Sequence, residues 1–246
     1  MLNRKHLIVL MILILSGLLS RVIMINRPYY GIQASVGAAT ANFAYNYVRY
    51  GFLKSNTIIT SSYGNNVKHS EKQYYTSRPQ LGIMLVSLPM FIFGNKEWSS
   101  RIIHIINFFI QFLVFFVIIK KTVNINAALF SCFFLIFMPA GMYFDYFPDF
   151  TQLETTSLLL VILFFLRWMD KRDNLSWIFL WLVIFLTSWI GWMLFLNIFV
   201  LIVIIFVIFP EERLKSIIAG VASVGIFIFI WLGNLYLYFG EKIVYY

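Results

Sequence analysis

Ionisable side chains are scarce in this chain, so each one beside a long apolar run is a candidate for chemistry. The stretch FDYFPDFTQLETT carries the carboxylates Asp145, Asp149 and Glu154. Asp145 and Asp149 stand in a polar link between two apolar runs, where plain hydration accounts for both. Glu154 falls about one turn inside the next run. A carboxylate at that depth is costly unless paired or hydrated, so a functional role and a structural partner are equal readings. Positive charge enters at SRPQL, where Arg78 precedes Pro79, a residue tolerated in the first turn of a helix. A helix N-terminus offers free N–H groups and partial positive charge, and arginine adds a planar fork; both suit phosphate. An arginine snorkelling to lipid headgroups is the competing account. In SVGAATANFAYNYVRYGF, helical spacing puts Asn42, Asn46 and Arg49 on one face and Phe43, Tyr47 and Tyr50 on the adjacent one, with Gly51 placed to end the helix. That helix is expected to lie in the headgroup plane, either contacting a substrate or only sealing the molecule.

The elements that must position these residues are membrane helices. Of 246 residues, 61% are hydrophobic and only 12% charged, with a mean hydropathy of +0.84. Soluble domains carry about twice that share of charge. The apolar runs are continuous, which excludes the alternating pattern of an outer-membrane barrel. The net charge of +9 fits Lys and Arg gathered in cytoplasmic loops, and there is no basic soluble domain to bind nucleic acid. Cys132, the only cysteine, excludes a disulfide framework and a cysteine-based metal site. The basic, then apolar N-terminus resembles a signal peptide, but no small-residue cleavage site follows, so it reads as an uncleaved first helix.

Spans are expected near Leu7–Ile25, Ile102–Ile119, Ala127–Tyr143, Leu153–Met169, Leu175–Trp192, Leu194–Phe209 and Ile217–Phe239, about seven in all. Arg4–Lys5, Lys120–Lys121, Lys171–Arg172 and Arg213–Lys215 then fall on one side, while the link with Asp145 and Asp149 and the SWIGW turn fall on the other. The positive-inside rule makes the first side, and the N-terminus, cytoplasmic. Leu81–Phe93 is too short to cross and carries Pro89; as a further span it would reverse every later loop. It is expected to dip into the outer interface without crossing. Residues 26–100 thus form a large external loop with interfacial helices, polar and turn-rich around Gly64. His104 sits where a helix–helix hydrogen bond fits better than catalysis.

With these residues in place, a resemblance emerges. Ala44-Tyr45-Asn46-Tyr47-Val48-Arg49-Tyr50-Gly51, then Tyr75-Thr76-Ser77-Arg78-Pro79-Gln80-Leu81, then Phe93-Gly94-Asn95-Lys96-Glu97-Trp98-Ser99-Ser100-Arg101 resemble successive motifs of the GT-C membrane glycosyltransferases. The family 39-like group, related to protein O-mannosyltransferases and aminoarabinose transferases, is nearest, and the likeness runs on through MPAGMYFDYFPDFTQLETTSLLL and TSWIGWML. The resemblance implies a single all-α GT-C-like integral membrane domain over residues 1–246. It also implies transfer of a sugar from a polyprenyl-phosphate donor to an acceptor at the outer face. A donor held in lipid needs no nucleotide-binding domain, and no phosphate-binding glycine loop is present. In this reading Glu154, with Asp149 behind it, is a general base or the ligand of a divalent cation; no cofactor is otherwise implied and no dedicated metal site is assigned. Arg78 and Arg49 face the phosphate, and Asn46, Tyr75 and Arg101 complete the substrate-binding set. The implied partners are the lipid-linked donor, membrane lipid and a partner membrane protein, in the plasma (inner) membrane as a multi-pass protein. Some positions depart from the family pattern. YYGIQASVGAATA lacks the first-loop acid, Tyr45 stands for an arginine, Arg78 for a histidine and Gln80 for a second proline. A non-catalytic relative that binds a lipid-linked glycan or a partner enzyme is therefore the alternative. The chain stops at GEKIVYY, where such relatives continue, sometimes with an outer soluble domain; a fragment, a truncated product and a minimal member all fit.

Overall fold

Polar caps and apolar runs fix the helices. In the computed structural model, which describes residues 3–31, 34–51, 59–60, 74–75, 79–145, 147–191 and 193–239, α1 (Arg4–Val22) starts where Asn3 accepts a hydrogen bond from the His6 N–H at 2.9 Å. Next come α2 (Ala34–Tyr50), α3 (Leu81–Phe93) and α4 (Glu97–Thr122). Asn124 caps α5 (Ile125–Phe137), which is followed by α6 (Pro139–Phe144). Asp149 caps α7 (Phe150–Lys171) and Asp173 caps α8 (Asn174–Ser188). α9 (Met193–Ile208) and α10 (Arg213–Phe239) complete the set. Each side-chain cap replaces one missing intrahelical partner and contributes about 1 kcal/mol. Ile59–Thr60 (β1) and Tyr74–Tyr75 (β2) pair antiparallel, and among the described residues the architecture is all-helical apart from this short ribbon.

Among the described residues four helices are long and apolar enough to cross a membrane: Arg4–Val22, Glu97–Thr122, Phe150–Lys171 and Pro210–Gly233. Large apolar side chains point outward, among them Leu15, Phe199 and Phe229, which suits lipid and not water. Cross-helix contacts sort the helix ends. Lys121 pairs with Asp170 and donates to the Leu166 carbonyl at 3.0 Å, and Lys215 reaches Asn174 at 3.3 Å. These mark one end of the bundle. At the other end Arg21 pairs with Asp145, Arg101 donates to the Ile25 carbonyl, and His104 meets Gln152. α1, α4, α5, α7, α8, α9 and α10 run alternately between these two ends.

α3 does not follow that alternation. Its first N–H, on Leu81, donates to the Trp189 carbonyl just past α8 at 3.0 Å. Its last residue leads through Gly94 directly into α4, whose Glu97 accepts from the Tyr29 N–H at 3.0 Å. Both tips of α3 therefore lie at the Asp145 end. Its inner face packs on α2 and α4: Ile83, Val86 and Met90 join Phe43, Ala44, Tyr47 and Phe150 in one core cluster. This cover for an all-apolar helix comes from α2, whose Asn46 is itself buried at 3% exposure. α2 thus buries one face, with Phe43, Ala44, Asn46 and Tyr47, against the rest of the molecule. Gly51 ends it at φ +80°, as its position predicts.

The third expected span, Ala127–Tyr143, is broken. Met138 takes extended backbone and Pro139 opens α6, because proline cannot donate to the carbonyl four residues back. The break frees the Ile136 carbonyl, and the Arg21 guanidinium fills the vacancy at 3.1 Å. The fifth expected span also stops early, at Ser188 and not at Trp192.

Candidate functional site

The outer turns of α7 present two different faces. On one, Leu153 is buried against Ile190, with Leu81 and Leu158 packed beside them. Glu154, next in the chain and half-buried, rests its carboxylate on Gly191 in the α8–α9 turn. A Cβ at Gly191 would collide with the Glu154 carboxylate and lie 2.6 Å from its Cγ. α3 closes the third side: a Cβ on Gly82 would come within 2.8 Å of the Phe150 ring. Glu154 thus sits where α7, the α8–α9 turn and the start of α3 converge. Beside this junction runs an apolar groove of about 430 Å³ along Gln80, Leu81, Met84, Leu186, Trp189 and Ile230. Gln80 is 3% exposed and its Oε1 accepts no hydrogen bond among the described residues. A carboxylate next to an apolar groove can serve an amphiphile, taking a proton from a hydroxyl brought to it.

The opposite face of α7 carries a buried polar chain. Arg21 donates to Asp145 at 2.8 and 3.1 Å and stacks over the Phe108 ring at 3.8 Å. Asp145 also accepts from Gln152 at 2.8 Å, and Gln152 meets His104 Nδ1 at 2.7 Å. Burial pushes the Asp145 carboxyl above its ordinary range, with Arg21 and Gln152 opposing. Four elements, α1, α4, α7 and the link after α6, are tied here by side-chain hydrogen bonds, although the buried Nε2 of His104 meets no partner among the described residues. Sequence reasoning passed over Arg21, although an ionisable residue inside an expected span is itself the signal. It also passed over Gln152; His104 makes the interhelical hydrogen bond expected of it.

The predicted site residues separate accordingly. Asp149 caps α7, accepting from the Phe150 N–H at 2.7 Å and the Thr151 hydroxyl at 2.8 Å. It lines a cleft of about 410 Å³ with Gln152, Asp145 and Gln111, and stands about 140° around the helix from Glu154. Glu154 is not among the residues that line this cleft. Arg101, 2% exposed, reaches the Ile25 carbonyl at 2.5 Å and lies 4.4 Å over the Tyr29 ring, so its described contacts clamp α4 to the chain leaving α1. Asn46 is buried in α2, and Arg49, half-buried, lies 5.3 Å over Tyr50. Tyr75 pairs through its backbone with Ile59. Arg78 lies outside the described residues, but the start of α3 that it precedes is seated beside Glu154. One of the N–H groups expected to be free there, that of Leu81, is taken by Trp189. Among the described residues no group of three or more His, Cys, Asp or Glu comes together to hold a metal ion.

Long apolar helices that pack through buried polar side chains at one end, under a cover of short helices, define a multi-pass membrane protein. Residues 77–236, more than half of the chain, match the model of the dolichyl-phosphate-mannose-protein mannosyltransferase family, and the chain belongs to that family. Membership implies a membrane glycosyltransferase of the GT-C type, with a sugar donor carried on lipid. No curated protein and no solved structure matches the chain.

Proposed function

We propose that this protein transfers a sugar from a polyprenyl-phosphate donor to an acceptor hydroxyl at the outer face of the plasma (inner) membrane. About seven helices cross, with the N-terminus inside and the first loop outside. The observation that carries the reading is the seat of Glu154 at the junction of α7, the α8–α9 turn and the α3 start, beside an apolar groove. Glu154 takes the acceptor proton as general base. Arg78, one step before Pro79, and Arg49 stabilise the departing phosphate, with Asn46, Tyr75 and Arg101 shaping the donor pocket. Asp149, away from Glu154, would contribute through its cleft and not as a partner base.

The test is purified protein in lipid with labelled polyprenyl-phosphate sugars, scored for transfer and for plain hydrolysis. Glu154→Gln should lower turnover by about 10²–10⁴ while donor binding persists. One observation favours a second reading, a non-catalytic relative that only holds a lipid-linked glycan: no acid stands between Arg27 and Ala41. Donor binding without any turnover in the parent protein would establish that alternative.

A further inference from the structure

We infer that Gly191 is the positioning residue for the Glu154 carboxylate; the inference rests on the reading of Glu154 as the base. Glycine is needed in a fold for left-handed backbone or for close approach. Among the described residues the glycines at positive φ are Gly31, Gly51 and Gly94, and Gly191 is not one of them. Its backbone would accept alanine, so only space demands glycine there. That space is filled by the Glu154 carboxyl group and Cγ. The buried backbone of Gly191 therefore acts as a floor that holds the carboxylate out toward the junction. The floor is itself anchored. Ile190 is buried against Leu153 on one side, and Trp189 accepts the Leu81 N–H on the other. The position of the carboxylate thus passes from the start of α3, through the turn, to Glu154.

The motif TSWIGWML carries this glycine without revealing its task, because nothing in the sequence places residue 191 under residue 154. Adding one methyl at 191 must displace the carboxylate; removing one methylene at 154 makes room again. The experiment is the cycle of Gly191→Ala, Glu154→Asp and the double variant, read by turnover and by thermal unfolding in detergent. Gly191→Ala should lower kcat at least tenfold with KM for the lipid donor within about twofold of the parent, and should lower the unfolding temperature. The double variant should unfold at a higher temperature than Gly191→Ala alone and turn over faster than it, a non-additivity expected only of groups in contact. A Gly191→Ala protein with parental kcat and unfolding temperature, or a double variant no better than it in either respect, overturns the inference. Should Glu154→Gln retain full turnover, the reading of Glu154 as base fails, while recovery of unfolding temperature in the double variant still reports the contact.

Discussion

At the scale of single residues, the buried pair Arg21–Asp145 shows how differently two opposite charges fail. Their side chains are 5% and 12% exposed, and breaking such a pair from either side costs about 3–5 kcal/mol. Arginine cannot shed its proton, so Asp145→Ala leaves a permanent cation against Phe108 and the Ile136 carbonyl. Arg21→Met leaves a carboxyl that can become neutral, and burial already pushes it upward. A carboxyl whose folded pKa is raised contributes stability that is complete below the unfolded value, about 3.9, and is lost as pH rises through the folded value. Arg21→Met should therefore recover unfolding temperature as pH falls from about 7 toward the carboxylate range, and Asp145→Ala should not. Equal acid recovery in both variants would show that Asp145 is not the group being discharged. The sequence flags this region through Asp145 but cannot pair it with Arg21, since pairing across four elements is a tertiary fact.

Elements follow local rules more legibly. Asn3, Asn124, Asp149 and Asp173 announce their helices, Gly51 closes α2, and Leu81–Phe93 is α3 to the residue. The break at Met138–Pro139 is equally local in cause, yet the apolar run continues through it and hydropathy hides it. The turn from α3 to α4 gives a clean test of backbone demand. Gly94 has φ +82° and ψ 179°, a region essentially reserved for glycine, and a Cβ there would meet nothing within 4 Å. Gly94→Ala should then cost about 1–3 kcal/mol through strain alone, visible in thermal unfolding. A loss well below that range would mean the turn relaxes without penalty.

For the whole molecule, the alternation of helices between two ends predicts which loops a reagent can reach. Cysteines placed at 64 and 149 should react with an impermeant thiol reagent from outside, and those at 121 and 172 should not. The buried Cys132 adds little background. Labelling of position 121 from outside would make α3 a true span and reverse the scheme. Hydropathy made the helical membrane class legible, while the sidedness drawn from charge bias is what this labelling tests. The candidate site was legible only in part, because Glu154 is a visible oddity along the chain whereas its floor at Gly191 and its neighbour at Leu81 come from distant stretches. The bond from the Leu81 N–H to the Trp189 carbonyl also sets an order of events during synthesis. α3 leaves the ribosome long before Trp189 does, so its start cannot be tied down until α8 has been made and threaded. Until then α3 has its contacts with α2 and α4 but not this tie. A cysteine placed at position 80, which is buried beside Leu186 and Trp189 in the finished fold, should react with a thiol reagent in a nascent chain arrested before residue 189 and be shielded in one arrested well beyond α9. The junction around Glu154 is thus a late assembly, closed only once the turn that follows α8 has been made.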